Sequence, residues 1–150
     1  METDDMTTWM LAEHEKVHQL SDELEEKVKS PPRGDRAQWI ADLRQRFDEY
    51  ADRMREHFRK EEEGGYLAHV VDLRPTLSEA VEIIRNEHEE LITIIESLQT
   101  AVRELAPTDN LLFRDCCKRI EHLLLWLDRH EEHENHIMMY AFTQDIGAAD

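Results

Sequence analysis

Apolar residues recur along this chain at alternating spacings of three and four, in four separate stretches. The first and shortest carries Met10, His14, Val17, Ser21, Leu24 and Val28, and the second Ile40, Leu43, Phe47, Tyr50, Met54, His57 and Glu61. The third carries Leu77, Val81, Ile84, His88, Leu91, Ile95, Leu98, Val102 and Leu105, and the fourth Phe113, Cys116, Ile120, Leu123, Leu127, His130, Glu134 and Ile137. That period lays each set along one face of an α-helix, and such faces are the seams of a bundle core. Chain punctuation sets the ends. The first helix is expected from about Thr7 to Lys29, stopped by Pro31-Pro32, and the second from Asp35, a good N-cap, to Gly64-Gly65. The third opens on Thr76 with Glu79 three residues on, a capping-box spacing, and ends before Pro107; the fourth starts at Thr108 or Asp109 and fades near Gly147. Tight connections make neighbours antiparallel, so the expected fold is all-α, an up-down-up-down antiparallel four-helix bundle forming one domain over residues 1–150. The link from Gly64 to Pro75 is the longest and has room for extra helix.

Polar groups interrupt every seam. His14, His57, Glu61, His88, His130 and Glu134 all fall on the expected core faces, where ionisable groups are costly to bury unless something satisfies them. His57 and Glu61, like His130 and Glu134, stand four apart and so project together from one helix face. An internal repeat relates these groups. EHEKVHQLSDELEEKV from Glu13 aligns with EHEELITIIESLQTAV from Glu87, and HFRKE from His57 with HEEHE from His130, so the second pair of helices reads as a second copy of the first. One HxxxE pair is common on a charged helix; two at core seams, facing two further seam histidines, are rare. Imidazole with carboxylate and no thiolate suits iron, zinc or manganese, and carboxylates can bridge two ions within a helical bundle.

Composition narrows the rest. With 35% charged residues, 4 Gly and 4 Pro, the chain favours helices with solvated faces over a turn-rich β fold. Its formal charge of −17 opposes nucleic acid and anionic lipid. Solubility is the plain reading of that charge, and attraction of cations or basic partners the other. Apolar runs such as Leu123 to Leu127 are far too short to span a bilayer, and Glu2, Asp4 and Asp5 stand where a basic leader would begin, so a cytoplasmic protein without membrane association is expected. Cys116 and Cys117 are adjacent on a helix and point about 100° apart, which makes them small buried hydrophobes rather than a disulfide.

HxxxE on the second and fourth helices, with a single EH on the first and third, resembles the hemerythrin-like HHE cation-binding family over nearly the whole chain, from about Thr7 to Asp145. The closing HEEHENHIMMYAFTQDIG resembles the end of the fourth helix in bacterial members. The resemblance implies two irons per chain, oxo- or hydroxo-bridged, with His14, His57, His88 and His130 as terminal ligands and Glu61 and Glu134 as bridges. Two positions depart from the oxygen-carrying hemerythrins: Ile92 stands where they have a second histidine on the third helix, and Asn135 where they have a bridging aspartate. The HxxxE form is closer to the bacterial and iron-sensing branches. His18, four residues after His14 and equivalent by repeat to Ile92, restores five histidines and two carboxylates if it ligates; its other reading is a flanking histidine bonded to a carboxylate. By repeat logic His14, His18 and His57 would fill one iron, leaving the open position on the iron of His88 and His130, against Ile92.

His133 and His136 lie off the seam, and His69 and His122 have no partner at ligand spacing. Glu62 and Glu131 adjoin the ligand set and could be ligands, outer acceptors or solvated surface. Trp126, one turn before His130, and Ile92 are read as packing near the metals. The implied partner is a small ligand such as dioxygen, nitric oxide or peroxide, bound for sensing, carriage or storage. A di-iron enzyme that decomposes peroxide or oxidises ferrous iron is the alternative, with no catalytic residue assigned. A metal-free phosphotransfer module would need one exposed histidine rather than six buried groups and is the remote alternative.

Overall fold

The computed structural model describes residues 3–143. Four long helices, α1 (Thr3–Lys29), α2 (Ala37–Glu63), α4 (Ser78–Arg103) and α5 (Asn110–Thr143), surround the core, with a short α3 (Tyr66–Leu73) and a 3-10 turn (Pro75–Leu77) between the second and third of them. No strand is present among the described residues. Cross-helix contacts run in opposite senses along three of the neighbouring pairs. Lys27, Ser21 and Glu13 of α1 meet Asp42, Tyr50 and Arg53 of α2 in that order. Val102, Gln99 and His88 of α4 meet Arg44, Asp48 and Glu62 of α2. Ser97 and Glu87 of α4 meet Arg119 and His130 of α5. The expected antiparallel bundle therefore forms.

Every seam residue named from the sequence within the long helices is buried, with Leu77 of the preceding turn half-buried. Each fully buried large side chain, such as Phe47 or Leu98, contributes about 1.5–3 kcal/mol of transfer free energy. Within the seam Ser21 and Tyr50 satisfy each other by a buried hydroxyl–hydroxyl bond of 2.8 Å. Cys116 and Cys117 are buried free thiols, and burial pushes Cys117 up to about 11.

The ends depart from expectation in instructive ways. Helix α1 starts at Thr3 rather than Thr7, because Met6 and Met10 pack with Tyr66, Leu67 and Ile137 and carry the helix further back. Asp35 falls one residue short of the expected N-cap: Arg36 holds that place with no side-chain cap, and Asp35 Oδ1 accepts from Ala37 N at 2.9 Å just ahead of the helix, whereas Asp109 caps α5 through Leu112 N at 3.0 Å. The Thr76–Glu79 capping box does not form. Pro75, pre-set for a helical start, opens the 3-10 turn, so Thr76 already lies inside helical backbone and α4 begins at Ser78 with no side-chain cap. At the other junction Gly65 takes φ +88°, a left-handed conformation that ends α2 and swings the chain into α3. The expected fading of the last helix near Gly147 lies outside the described residues.

The core divides into two apolar clusters. One runs from Val17 and Leu24 across to Met54, Leu91 and Leu127; the other gathers Met6, Met10, Val81, Ile84 and Ile137 beneath α3, whose Tyr66, Leu67 and Val70 seal that end. The seam histidines and glutamates occupy the layer between them.

Candidate metal centre

Each of the four long helices delivers one histidine to that layer, and α2 and α5 each add a glutamate one turn on. His14 of α1 with His57 and Glu61 of α2 forms one group, and His88 of α4 with His130 and Glu134 of α5 forms the other; within each, one ligand atom per residue lies within 4.8 Å of the rest. The two groups are related by the internal repeat. Ring centroids are 5.3 Å apart for His14–His57 and 4.8 Å for His88–His130. All six residues are at most 5% exposed.

The inner atoms converge without bonding one another. His57 Nε2 lies 2.6 Å from Glu61 Oε1, and His130 Nε2 lies 2.5 Å from Glu134 Oε1. Yet neither approach has the direction of a hydrogen bond: both Glu61 oxygens, His130 Nε2, His88 Nε2, His14 Nε2 and Glu134 Oε2 are buried without a hydrogen-bond partner. A protein interior rarely leaves so many polar atoms unpaired in one place. Lone pairs aimed at common points are what cations held between them would require, and the nitrogen and oxygen donors fit such ions.

An outer ring of carboxylates faces the other side of the imidazoles. Nδ1 of His14 is 3.3 Å from Glu131, Nδ1 of His57 is 3.6 Å from Glu13, Nδ1 of His88 is 3.2 Å from Glu62, and Nδ1 of His130 is 3.5 Å from Glu87. Of these only His88–Glu62 is a hydrogen bond. Nδ1 of His14, His57 and His130 is buried without one, and the facing carboxylates act on those rings by charge, favouring the proton at Nδ1 and leaving Nε2 inward. Glu13 and Glu87 are the glutamates of the two EH pairs, which sequence reading had passed over because they sit off the seam; their recurrence in the repeat was the available signal. Glu62 and Glu131, left between ligand and surface, are outer partners here. The repeat breaks at Phe58, which stacks on His88 at 4.2 Å, whereas its counterpart Glu131 contacts His14.

Burial holds three of the four imidazoles neutral. It lowers His14 to about 4, helped by the neighbouring His57 and His18, and His88 to about 3, helped by His130 and His57. His130 is lowered to about 4 by burial, against the pull of Glu87. For His57 burial also acts downward, but Glu61 and Glu13 outweigh it and the group is raised; burial raises Glu61 in turn. Neutral imidazole is the form that ligates a metal.

His18 is not brought into the buried groups. Its side chain is 49% exposed and its Nε2 lies 2.9 Å from Glu131 Oε1, the arrangement of a flanking histidine. His133 stands 3.6 Å from Glu87, His69 packs on Phe142, and His122 lies against Trp126. Trp126 is 44% exposed and lines a groove of about 580 Å³ between α4 and α5 that reaches His130, with Leu91, Ile94 and Arg129 along it. A second groove, about 440 Å³ between α2 and α4, reaches His88 and is lined by Ile92 and Phe58.

A helical bundle with clustered histidines and glutamates at its centre defines a metal-binding protein. A family model described as the hemerythrin HHE cation binding domain matches residues 5–142, and the chain belongs to that family. Comparison with curated proteins and with solved structures gives no significant match. Among the described residues no helix is long and apolar enough to cross a membrane.

Proposed function

We propose that this protein holds two irons between its four helices and binds a small ligand, dioxygen or a relative such as nitric oxide or peroxide, in a sensing, carrying or storing role. The observation that carries the reading is the pair of repeat-related groups whose inward atoms lack hydrogen-bond partners. His14, His57 and Glu61 would hold one ion and His88, His130 and Glu134 the other, with the two glutamates as bridges. When bound, a ferrous pair supplies redox chemistry and coordination positions for an exogenous ligand. The chain supplies the rest. Glu13, Glu62, Glu87 and Glu131 hold the rings in register, and the two apolar clusters keep water from the layer between them.

Ligand entry is favoured at His88 and His130. Both border open grooves walled by Ile92, Phe58, Leu91, Ile94 and Trp126, whereas the cavity beside His14 and His57 is only about 10 Å³. With His18 49% exposed and turned onto Glu131, access supports this asymmetry better than an extra ligand from His18 does. Those same grooves support a second reading, an enzyme that turns over peroxide or ferrous iron, because turnover needs an accessible site. Adding azide to the iron-loaded protein is expected to produce a visible charge-transfer band, and the band is expected to weaken in Ile92→Trp, which fills the groove at His88. Sustained peroxide or oxygen consumption would select the enzyme reading; no azide band would count against ligand binding altogether.

A further inference from the structure

A second kind of polar cluster lies on the surface beside the buried layer. Asp128 and Glu131 are three residues apart on α5 and so share a face, and His18 reaches them from α1. One ligand atom from each lies within 4.8 Å of the other two. His18 and Asp128 are exposed, while Glu131 is only 13% exposed. Glu131 Oε1 therefore faces both ways, 2.9 Å from the outer His18 Nε2 and 3.3 Å from the buried His14 Nδ1. Inward of the cluster runs a cavity of about 10 Å³, room for about one water, bordered by Asp128, Glu131, His14, His57 and Glu134. His14, 4% exposed with neither ring nitrogen hydrogen-bonded, and Glu134, 1% exposed with Oε2 unpaired, line it together with Asp128 and Glu131. Asp22, Glu25 and Glu132 lie close enough to act on Asp128, adding negative charge at the mouth.

We propose that His18, Asp128 and Glu131 form a surface capture site for a hard divalent cation such as ferrous iron or manganese, from which the ion passes inward past Glu131. One imidazole and two carboxylates are the donors such ions accept, and the acidic surroundings raise their local concentration. The capture site stands on its own geometry; its part in loading rests on the reading of the buried groups as a metal centre. Binding here is weaker than within the bundle, because two of the three donors are hydrated and mobile.

Manganese titration of the metal-free full chain, counted from loss of the free-ion paramagnetic resonance signal, tests it. A weak site is expected beyond those of the buried groups, lost in Asp128→Asn and retained in a Glu61→Met/Glu134→Met chain whose buried groups are broken. Stopped-flow loading with ferrous iron at low salt is expected to be about tenfold slower in Asp128→Asn, with the same final iron content. Absence of the weak site from the wild type, or its persistence in Asp128→Asn, overturns the proposal, as does unchanged loading. A weak site that appears while the buried groups take no metal supports the capture site and counts against the buried centre alone.

Discussion

Glu61→Met should make the metal-free protein more stable while destroying its metal binding. Glu61 is fully buried, neither carboxylate oxygen is hydrogen-bonded, and burial pushes its proton affinity up. A buried carboxyl without a hydrogen bond costs about 1–3 kcal/mol, and its removal strands no charge so long as His57 gives up its proton. Met fills the Glu volume in the same helix-compatible shape, so no cavity opens. Loss of the carboxylate also releases His57 to the neutral state that burial favours. For a chain of 150 residues, about 1–3 kcal/mol corresponds to a rise of about 3–9 °C in Tm. Iron reverses the order: a ligand at about a thousand times its Kd adds about 4 kcal/mol to the protein that binds it, and only the wild type would gain fully. Calorimetric melting of chelator-treated and iron-loaded samples at neutral pH reads both arms. A metal-free Glu61→Met that melts below wild type, as after an ordinary core substitution, would refute the claim that the carboxyl is held at a cost for the sake of a cation.

Three further outcomes follow from single contacts. Glu87→Gln leaves every inward atom in place but removes the negative charge 3.5 Å from His130 Nδ1, and metal affinity by competitive chelation should fall about 10–100-fold; an unchanged affinity would remove the outer carboxylates from the scheme. Tyr50→Phe strands the buried Ser21 hydroxyl and should lower stability by about 1–2 kcal/mol in denaturant titration, without altering metal content. Cys116 and Cys117, buried with raised thiol pKa, should resist alkylation in the native protein at neutral pH and react once denaturant is added; rapid native labelling would contradict their placement.

The seams were legible because one physical rule, burial of a stripe with helical period, governs every position on them. It named Met10, Ile40, Leu98 and Phe113 as core, and by the same rule it exposed His14, His57, His88 and His130 as anomalies needing a partner. What lay off the stripe escaped it. Glu13 and Glu87 stand one residue before seam histidines, so their side chains leave about 100° away, toward the neighbouring helix rather than the centre. Seeing that they meet His57 and His130 requires knowing which neighbour lies on that side. His18 shows the same limit. Four residues beyond His14 it is expected on the same helix face, but its side chain is half exposed and meets Glu131 of α5. Phe58 is buried against His88 and His130, and Tyr66, Leu67 and Val70 by the packing of α3, whose place over one end of the core the link from Gly64 to Pro75 did not disclose.

Iron per chain is the most direct measure of the central claim. After anaerobic loading with ferrous iron and removal of loosely held ions, native mass spectrometry should find two irons on each wild-type chain, with the occupancy collapsing when His57 and His130 are both replaced by Ala. One iron or none on the wild type, or two that survive the double replacement, would contradict a centre built from His14, His57, Glu61, His88, His130 and Glu134.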